Sequence, residues 1–366
     1  MKITAVDVHC VKGRHWPRFP MFFVEVHTDE GITGLGEALG YRSSGVAQAI
    51  EQAGASLIGS DPRGIESLWQ EMVRNGVNMA AISGIETSLW DILGQSLGTP
   101  IYQLLGGRCH DRIRVYADGF FRGAEYVSEE YAEKAVASVA SGLTALKMDV
   151  DEPIASGHAM NGVLTSADLR LTEAMVCSVR EAVGAEVDLC IDGHGAFDVP
   201  SAIRLAQTLR DYALMWIEDP VSMDSLKAMA RVTLESETPI CTGELLETRF
   251  AFRELFESHA ADIIMPDLAR TGGVMELKRI AAAAETYRIP VAPHNMVGPV
   301  CTLASAHVCA ATPNFMILEY QLGDVPWIDD LLDEPVRVDG GAIILPDKPG
   351  LGARLNHEAV RKYRAD

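Results

Sequence analysis

The chain has 366 residues, 48% of them hydrophobic, which is enough for a large core and for two domains. Its formal net charge of −20 argues against a nucleic acid or an anionic membrane as partner, because both are held by clustered Lys and Arg. No apolar run approaches the ~20 residues of a membrane span, residues 1–10 show no leader pattern, and the seven cysteines form no Cys-x-x-Cys pair, so reduced thiols in a cytoplasmic protein are expected.

Residues 2–11 and 21–28 alternate apolar and polar positions as half-buried strands do, and Asp29-Glu30-Gly31 supplies a turn into a third strand, Ile32–Leu39. The intervening segment 13–20 reads as a lid, with Trp16 or Phe19 to cover a site and Arg14 or Arg18 to meet an anion. Tyr41 and Arg42, in the turn Gly40–Ser44, are further substrate-contact candidates. From Ser44 to Leu105 the pattern is helical: Asp61-Pro62 predicts a helix start, and Ala81–Leu97 a long helix with Ile85, Leu89 and Ile92 on one face. Glu86 and Asp91 on that helix read as solvated or capping groups. Leu105-Gly106-Gly107 ends this region, so residues 1–112 form an α+β unit.

Short strands at 113–117 and 145–149 follow. Six more apolar runs then end in Asp192, Glu218, Glu244, Asp267, His294 and Glu319, spaced 23–27 residues apart, with helical segments between them. A strand, a loop and a returning helix take about that many residues. Eight such units over 113–330 predict a (β/α)8 barrel, whose C-terminal face carries catalytic residues. The stretch 151–166 is an aperiodic insertion, and the tail 331–366 is expected to return to the first unit.

Asp192, Glu218 and Glu244 are carboxylates on three consecutive strand ends. Like charges at one barrel mouth repel unless a cation neutralises them, and hard oxygen donors with room for water and substrate suit Mg²⁺. Asp267 beside His294 makes a general base, since a carboxylate fixes the imidazole tautomer and raises its basicity. His194, two residues past Asp192, is placed by strand alternation on the ligand side, as a metal ligand or a general acid. Lys147 and Asp149 project together from the second strand, and Lys147 there would stabilise developing negative charge. The remaining histidines, among them His9, His110, His259 and His357, show no partner pattern and read as structural or exposed.

The motifs Asp192-Gly193-His194-Gly195, Ile217-Glu218-Asp219-Pro220, Gly243-Glu244, Pro266-Asp267-Leu268-Ala269-Arg270-Thr271-Gly272-Gly273, Ala292-Pro293-His294-Asn295 and the final Pro349-Gly350-Leu351-Gly352 resemble the enolase superfamily. The likeness is to its mandelate racemase-like sugar-acid dehydratases of the galactonate dehydratase type, and it covers essentially the whole chain. The resemblance implies an α+β capping domain on a modified barrel, Mg²⁺ on Asp192, Glu218 and Glu244, and Asp267–His294 as the base. It further implies His194 as the acid, Glu319 hydrogen-bonded to the substrate carboxylate, a small sugar-acid substrate and a homo-oligomer. One departure from mandelate racemase matters: Lys147-Met148-Asp149 lacks the second lysine of its Lys-x-Lys, which disfavours two-base racemisation. Dehydration of an aldonate or aldarate to a 2-keto-3-deoxy acid is therefore expected. An epimerase or lactone cycloisomerase on the same scaffold is the first alternative, and a non-catalytic sugar-acid binder the second.

Overall fold

The structure, a computed structural model, describes residues 1–13, 19–40, 45–124, 127–151, 162–323 and 325–365. Strands β1 (Ile3–Val11), β2 (Met21–Thr28) and β3 (Thr33–Leu39) form the antiparallel meander read from the sequence. The sheet lies on the helix Met79–Leu97, which Asn78 caps by accepting the Ala80 N–H. Contact is close enough that a Cβ at Gly36 would sit 2.0 Å from the Gly84 carbonyl oxygen, so only glycine fits there. Asp61 does not open a helix. It accepts the Arg63 N–H in a tight turn and pairs with the Arg63 guanidinium, and the helix begins at Ile65. Asx-turn geometry has taken the oxygen that an N-cap would have used.

The barrel strands run in parallel order: β4 (Ile113–Asp118), β5 (Ala145–Asp149), β6 (Asp188–Asp192), β7 (Trp216–Glu218), β8 (Ile240–Thr242) and β9 (Ile263–Ile264). Single bridges Ile264↔Val291 and Val291↔Phe315 carry the array on to β10 (Leu318–Gln321), which pairs with β4 and closes the ring. Helices Ser128–Ala140, Ser166–Val183, Val199–Leu209, Leu226–Glu235, Thr248–Glu257, Val274–Thr286 and Pro299–Ala310 separate successive strands. Between β10 and the tail hairpin at Val338–Ile343 the described residues hold only a 3-10 turn, Ile328–Leu331, so eight strands are matched by seven such helices. No helix of the described residues is long and apolar enough to cross a membrane.

The tail first forms a hairpin, β11 (Val338–Asp339) and β12 (Ala342–Ile343), which pairs antiparallel with the start of β4. It then reaches the meander: Arg364 bridges Val11, and the Ala365 N–H donates to the Cys10 carbonyl.

Buried carboxylates join the N-terminal unit to the barrel. Glu37 on β3 accepts the N–H groups of Gly298 and Cys301 at the start of helix Pro299–Ala310. Glu86 accepts those of Val274 and Met275 at the start of helix Val274–Thr286, and the Trp90 indole N–H as well. Asp91 accepts from Leu35 and, in the tail, Leu351. Glu86 and Asp91 are therefore buried rather than solvated; Glu86 caps a helix in the other unit, a contact that local sequence cannot show. Glu86→Ala should lower unfolding stability by about 3 kcal/mol, since it leaves the buried Val274 N–H and the half-buried Met275 N–H unpaired. A urea midpoint within error of the parent would refute that account.

His307 is a second tie. Its Nδ1 accepts the Tyr102 N–H at 3.3 Å and its Nε2–H donates to the Leu351 carbonyl at 3.1 Å, so the ring is neutral. Burial pushes its pKa down from 6.5 to about 4. Between those values the unfolded chain binds a proton that the folded chain refuses. The stability this residue contributes is complete above pH 6.5 and is lost as pH falls toward 4. Melting temperatures of His307→Gln should accordingly fall less steeply over that window than those of the parent.

Candidate active site

Inward-facing residues alternate along each strand, which stacks the barrel interior in layers. One buried layer consists of Tyr116, Ala145, Cys190, Trp216, Cys241, Ile263, Met265, Ala292 and Ile317. Two residues further along most strands lie Asp118, Lys147, Asp192, Glu218, Asp267, His294 and Glu319, the next layer toward the C-terminal face. Glu244 departs from that offset. Strand β8 ends at Thr242, and Gly243 turns at φ 125 before presenting Glu244; a Cβ at Gly243 would lie 2.9 Å from Phe252 Cε1. The Gly-Glu pair is thus a geometric requirement of the site.

Lys147 lies at the centre and is 2% exposed. Its Nζ is 2.6 Å from Glu218 Oε1 and 3.3 Å from both Asp192 Oδ2 and Glu319 Oε1, with the Tyr116 ring centroid at 5.5 Å. Burial opposes its charge, but Glu218, Glu319 and Asp192 outweigh burial and hold its pKa well above the usual lysine value. Trp216 Nε1–H donates to Glu218 Oε2 at 3.1 Å, so both oxygens of Glu218 are fixed.

On the opposite side, His294 Nδ1 is 2.7 Å from Asp267 Oδ2. The other Asp267 oxygen accepts the Ala269 N–H at 2.7 Å, which locks the carboxylate that orients the ring. His294 Nε2 faces Glu244 Oε2 at 3.0 Å and Glu319 Oε2 at 3.7 Å. Burial lowers the His294 pKa, yet Glu319, Glu244 and Asp267 together raise it to about 10. A cation taken up by the carboxylates around Nε2 would oppose that rise.

His194 enters the site by a route other than strand alternation. It lies beyond the end of β6 in left-handed backbone conformation, φ 44, and its N–H donates to Asp192 Oδ1 at 2.8 Å. Its Nδ1 is 2.9 Å from Asp151 Oδ1, and its Nε2 3.6 Å from Asp192 Oδ2. Asp192 most of all, then Asp151 and Asp149, raise its pKa to about 12 against burial. Asp149, Asp192 and His194 have ligand atoms within 4.8 Å of one another.

Asp192, Glu218 and Glu244 do not converge into one such group, because Glu244 is turned toward His294. The donor set nonetheless fits a hard divalent cation. Asp192, Glu218, Asp219, Asp267 and Glu319 are all buried, and Lys147 is the one lysine or arginine buried among the described residues.

The sequence reading passed over four residues. Asp118 ends β4 one residue past the predicted strand and accepts Gln321 Nε2–H at 2.8 Å. Gln321, two positions after Glu319, also donates to Glu319 Oε1 at 3.1 Å. Trp216 stands two positions before Glu218. Asp219, at φ 34, accepts the Thr242 hydroxyl. The two-residue offset along each strand would have found Asp118, Trp216 and Gln321. The lid candidates Arg14, Trp16 and Arg18, the turn residues Tyr41 and Arg42, and positions 152–161 of the insertion lie outside the described residues.

An acid-lined barrel mouth with an Asp–His pair, joined to an N-terminal α+β unit, marks a class of barrel enzymes that do acid–base chemistry at the C-terminal ends of their strands. Residues 130–360 match the family described as enolase C-terminal domain-like, and residues 15–106 the mandelate racemase / muconate lactonizing enzyme N-terminal domain. The chain belongs to the enolase superfamily, in its mandelate racemase / muconate lactonizing enzyme branch. It is 38% identical to the D-xylonate dehydratase of Haloferax volcanii, covering 100% of this chain and 89% of that protein. It is 33% identical to the D-galactonate dehydratase of Variovorax paradoxus, covering 98% and 94%. The crystal structure of a mandelate racemase/muconate lactonizing enzyme-like protein from Rubrobacter xylanophilus superimposes with a TM-score of 0.91 at 39% identity, covering 100% of this chain and 98% of that one.

Proposed function

We propose that this enzyme is a Mg²⁺-dependent sugar-acid dehydratase that converts a 2,3-dihydroxy acid to a 2-keto-3-deoxy acid. The observation that carries this is the placement of His294–Asp267 and His194 on two sides of one carboxylate-rich mouth, with Lys147 between them. The full-length dehydratase relatives support the same reaction. Residues 1–112, 113–330 and 331–366 are proposed as capping domain, catalytic barrel and returning segment.

Asp192, Glu218 and Glu244 would hold Mg²⁺, with Glu244 swinging from His294. The cation would supply neutralisation of the substrate carboxylate and of the enediolate charge. His294 Nε2 takes the α-proton while Asp267 holds Nδ1–H, and the C–H electrons enter the enediolate. Lys147 stabilises that charge from below. His194 gives a proton to the 3-hydroxyl as its C–O bond breaks, and water leaves. The enol then becomes the ketone. Glu319, fixed by the Asn295 N–H at 2.8 Å and by Gln321, shares a proton with the substrate carboxylate. Asp149, near Asp192 and His194, borders the leaving hydroxyl. Arg14, Arg18, Trp16 and Tyr41 are proposed substrate-binding residues, the arginines toward an anionic group of the acid.

Four- to six-carbon aldonic and aldaric acids, incubated with Mg²⁺ and treated with semicarbazide, should reveal a 2-keto product. EDTA should abolish it and added Mg²⁺ restore it. A product isomeric with its substrate would overturn dehydration in favour of an epimerase or cycloisomerase.

A further inference from the structure

The histidines without a partner pattern in the sequence include two that the fold brings together. His9 on β1 and His357, the first residue of the helix His357–Lys362, converge on Glu25 of β2, across 348 positions of chain. His9 Nε2 lies 2.8 Å from Glu25 Oε2, and His357 Nε2 lies 3.3 Å from Glu25 Oε1. Ligand atoms of all three lie within 4.8 Å of one another. The two rings meet edge to face, centroids 5.6 Å apart and planes at 76°, with both Nε2 atoms turned to the one carboxylate. The Glu25 side chain is 9% exposed and that of His357 51%, which leaves one side open to solvent.

We propose that His9, Glu25 and His357 form a second metal site, for a borderline divalent ion such as Zn²⁺. The site is built from elements that contribute nothing to the barrel mouth. Two imidazoles and one carboxylate favour Zn²⁺ over Mg²⁺, which selects all-oxygen donors. Ligands about 2.0–2.1 Å from a tetrahedral ion stand roughly 3.3 Å apart, close to the separations already present, and water completes the shell on the exposed side. Such an ion pins the C-terminal helix to the meander, next to where Arg364 bridges Val11. The rival arrangement has both imidazoles donating N–H to Glu25 with no metal.

The test uses the full chain in saturating Mg²⁺, titrated with Zn²⁺ by calorimetry alongside His357→Gln and His9→Gln. The parent should take up one more equivalent of zinc than either variant. Zinc should also raise the melting temperature of the parent more than theirs, since an ion bound only by the folded state stabilises it by mass action. Any zinc entering the barrel mouth does so in all three proteins and cancels in the comparison. Equal stoichiometry in the three would overturn the site. So would variants that melt lower than the parent by the same margin with and without zinc, because that is the signature of the metal-free pairing.

Discussion

His294→Asn should reduce turnover by about 10³-fold or more while leaving substrate affinity within a few-fold of the parent. The substitution keeps a planar polar side chain of smaller volume in a site where the ring is buried. It removes the Nε2 that faces Glu244 and Glu319, the one position from which the α-proton is taken in the proposed reaction. The general-base contribution alone is worth about 10²–10⁴. Asp267→Asn should cost less, since the imidazole stays and only its orientation and basicity suffer. Asp267 also caps the turn that begins at Leu268, so Asn, which can still accept the Ala269 N–H, is the informative replacement. Single-turnover kinetics with an α-deuterated acid would read the step directly. A His294→Asn enzyme that retained a tenth of parental turnover would remove His294 as the base.

The strand ends were legible because a parallel barrel imposes two periods at once: 23–27 residues between strands, and two residues along each strand. Those periods place Lys147, Asp192, Glu218, Asp267, His294 and Glu319 in one layer. They fail where the chain leaves the strand. His194 and Glu244 sit past strand ends on left-handed turns, at His194 itself and at Gly243, so alternation does not say where they point. Asp61 failed for a related reason, because one carboxylate can cap a helix or close a tight turn, and only the following backbone decides which.

Glu86 and Asp91 illustrate a different limit. On a helix with Ile85, Leu89 and Ile92 they read as polar exceptions to an apolar stripe, yet each is buried because a second segment supplies its hydrogen-bond donors. The same holds for the His9–Glu25–His357 group. Its members are 16 and 332 residues apart along the chain, and nothing local links them. Interactions between units are the part of this molecule that its sequence hides.

His194→Asn should separate proton abstraction from elimination. Position 194 is held at φ 44, a left-handed conformation that costs most residues energy but that Asn adopts readily. The turn and the backbone N–H bond to Asp192 Oδ1 should therefore survive. What disappears is the proton that His194 would give to the departing 3-hydroxyl, together with the Nδ1 contact to Asp151. Formation of the 2-keto product should fall by about 10²–10⁴, the range for loss of a general acid. Exchange of the substrate α-proton in D₂O, followed by proton NMR, should persist, because His294, Asp267 and Lys147 are untouched. The enediolate would then form and be reprotonated by solvent-equilibrated His294 instead of expelling hydroxide. Equal loss of exchange and of product would mean that His194 is needed before the C–H bond breaks. Its place in the reaction would then be beside Asp192 and Asp149 in organising the mouth, and the departing hydroxyl would have to find its proton elsewhere.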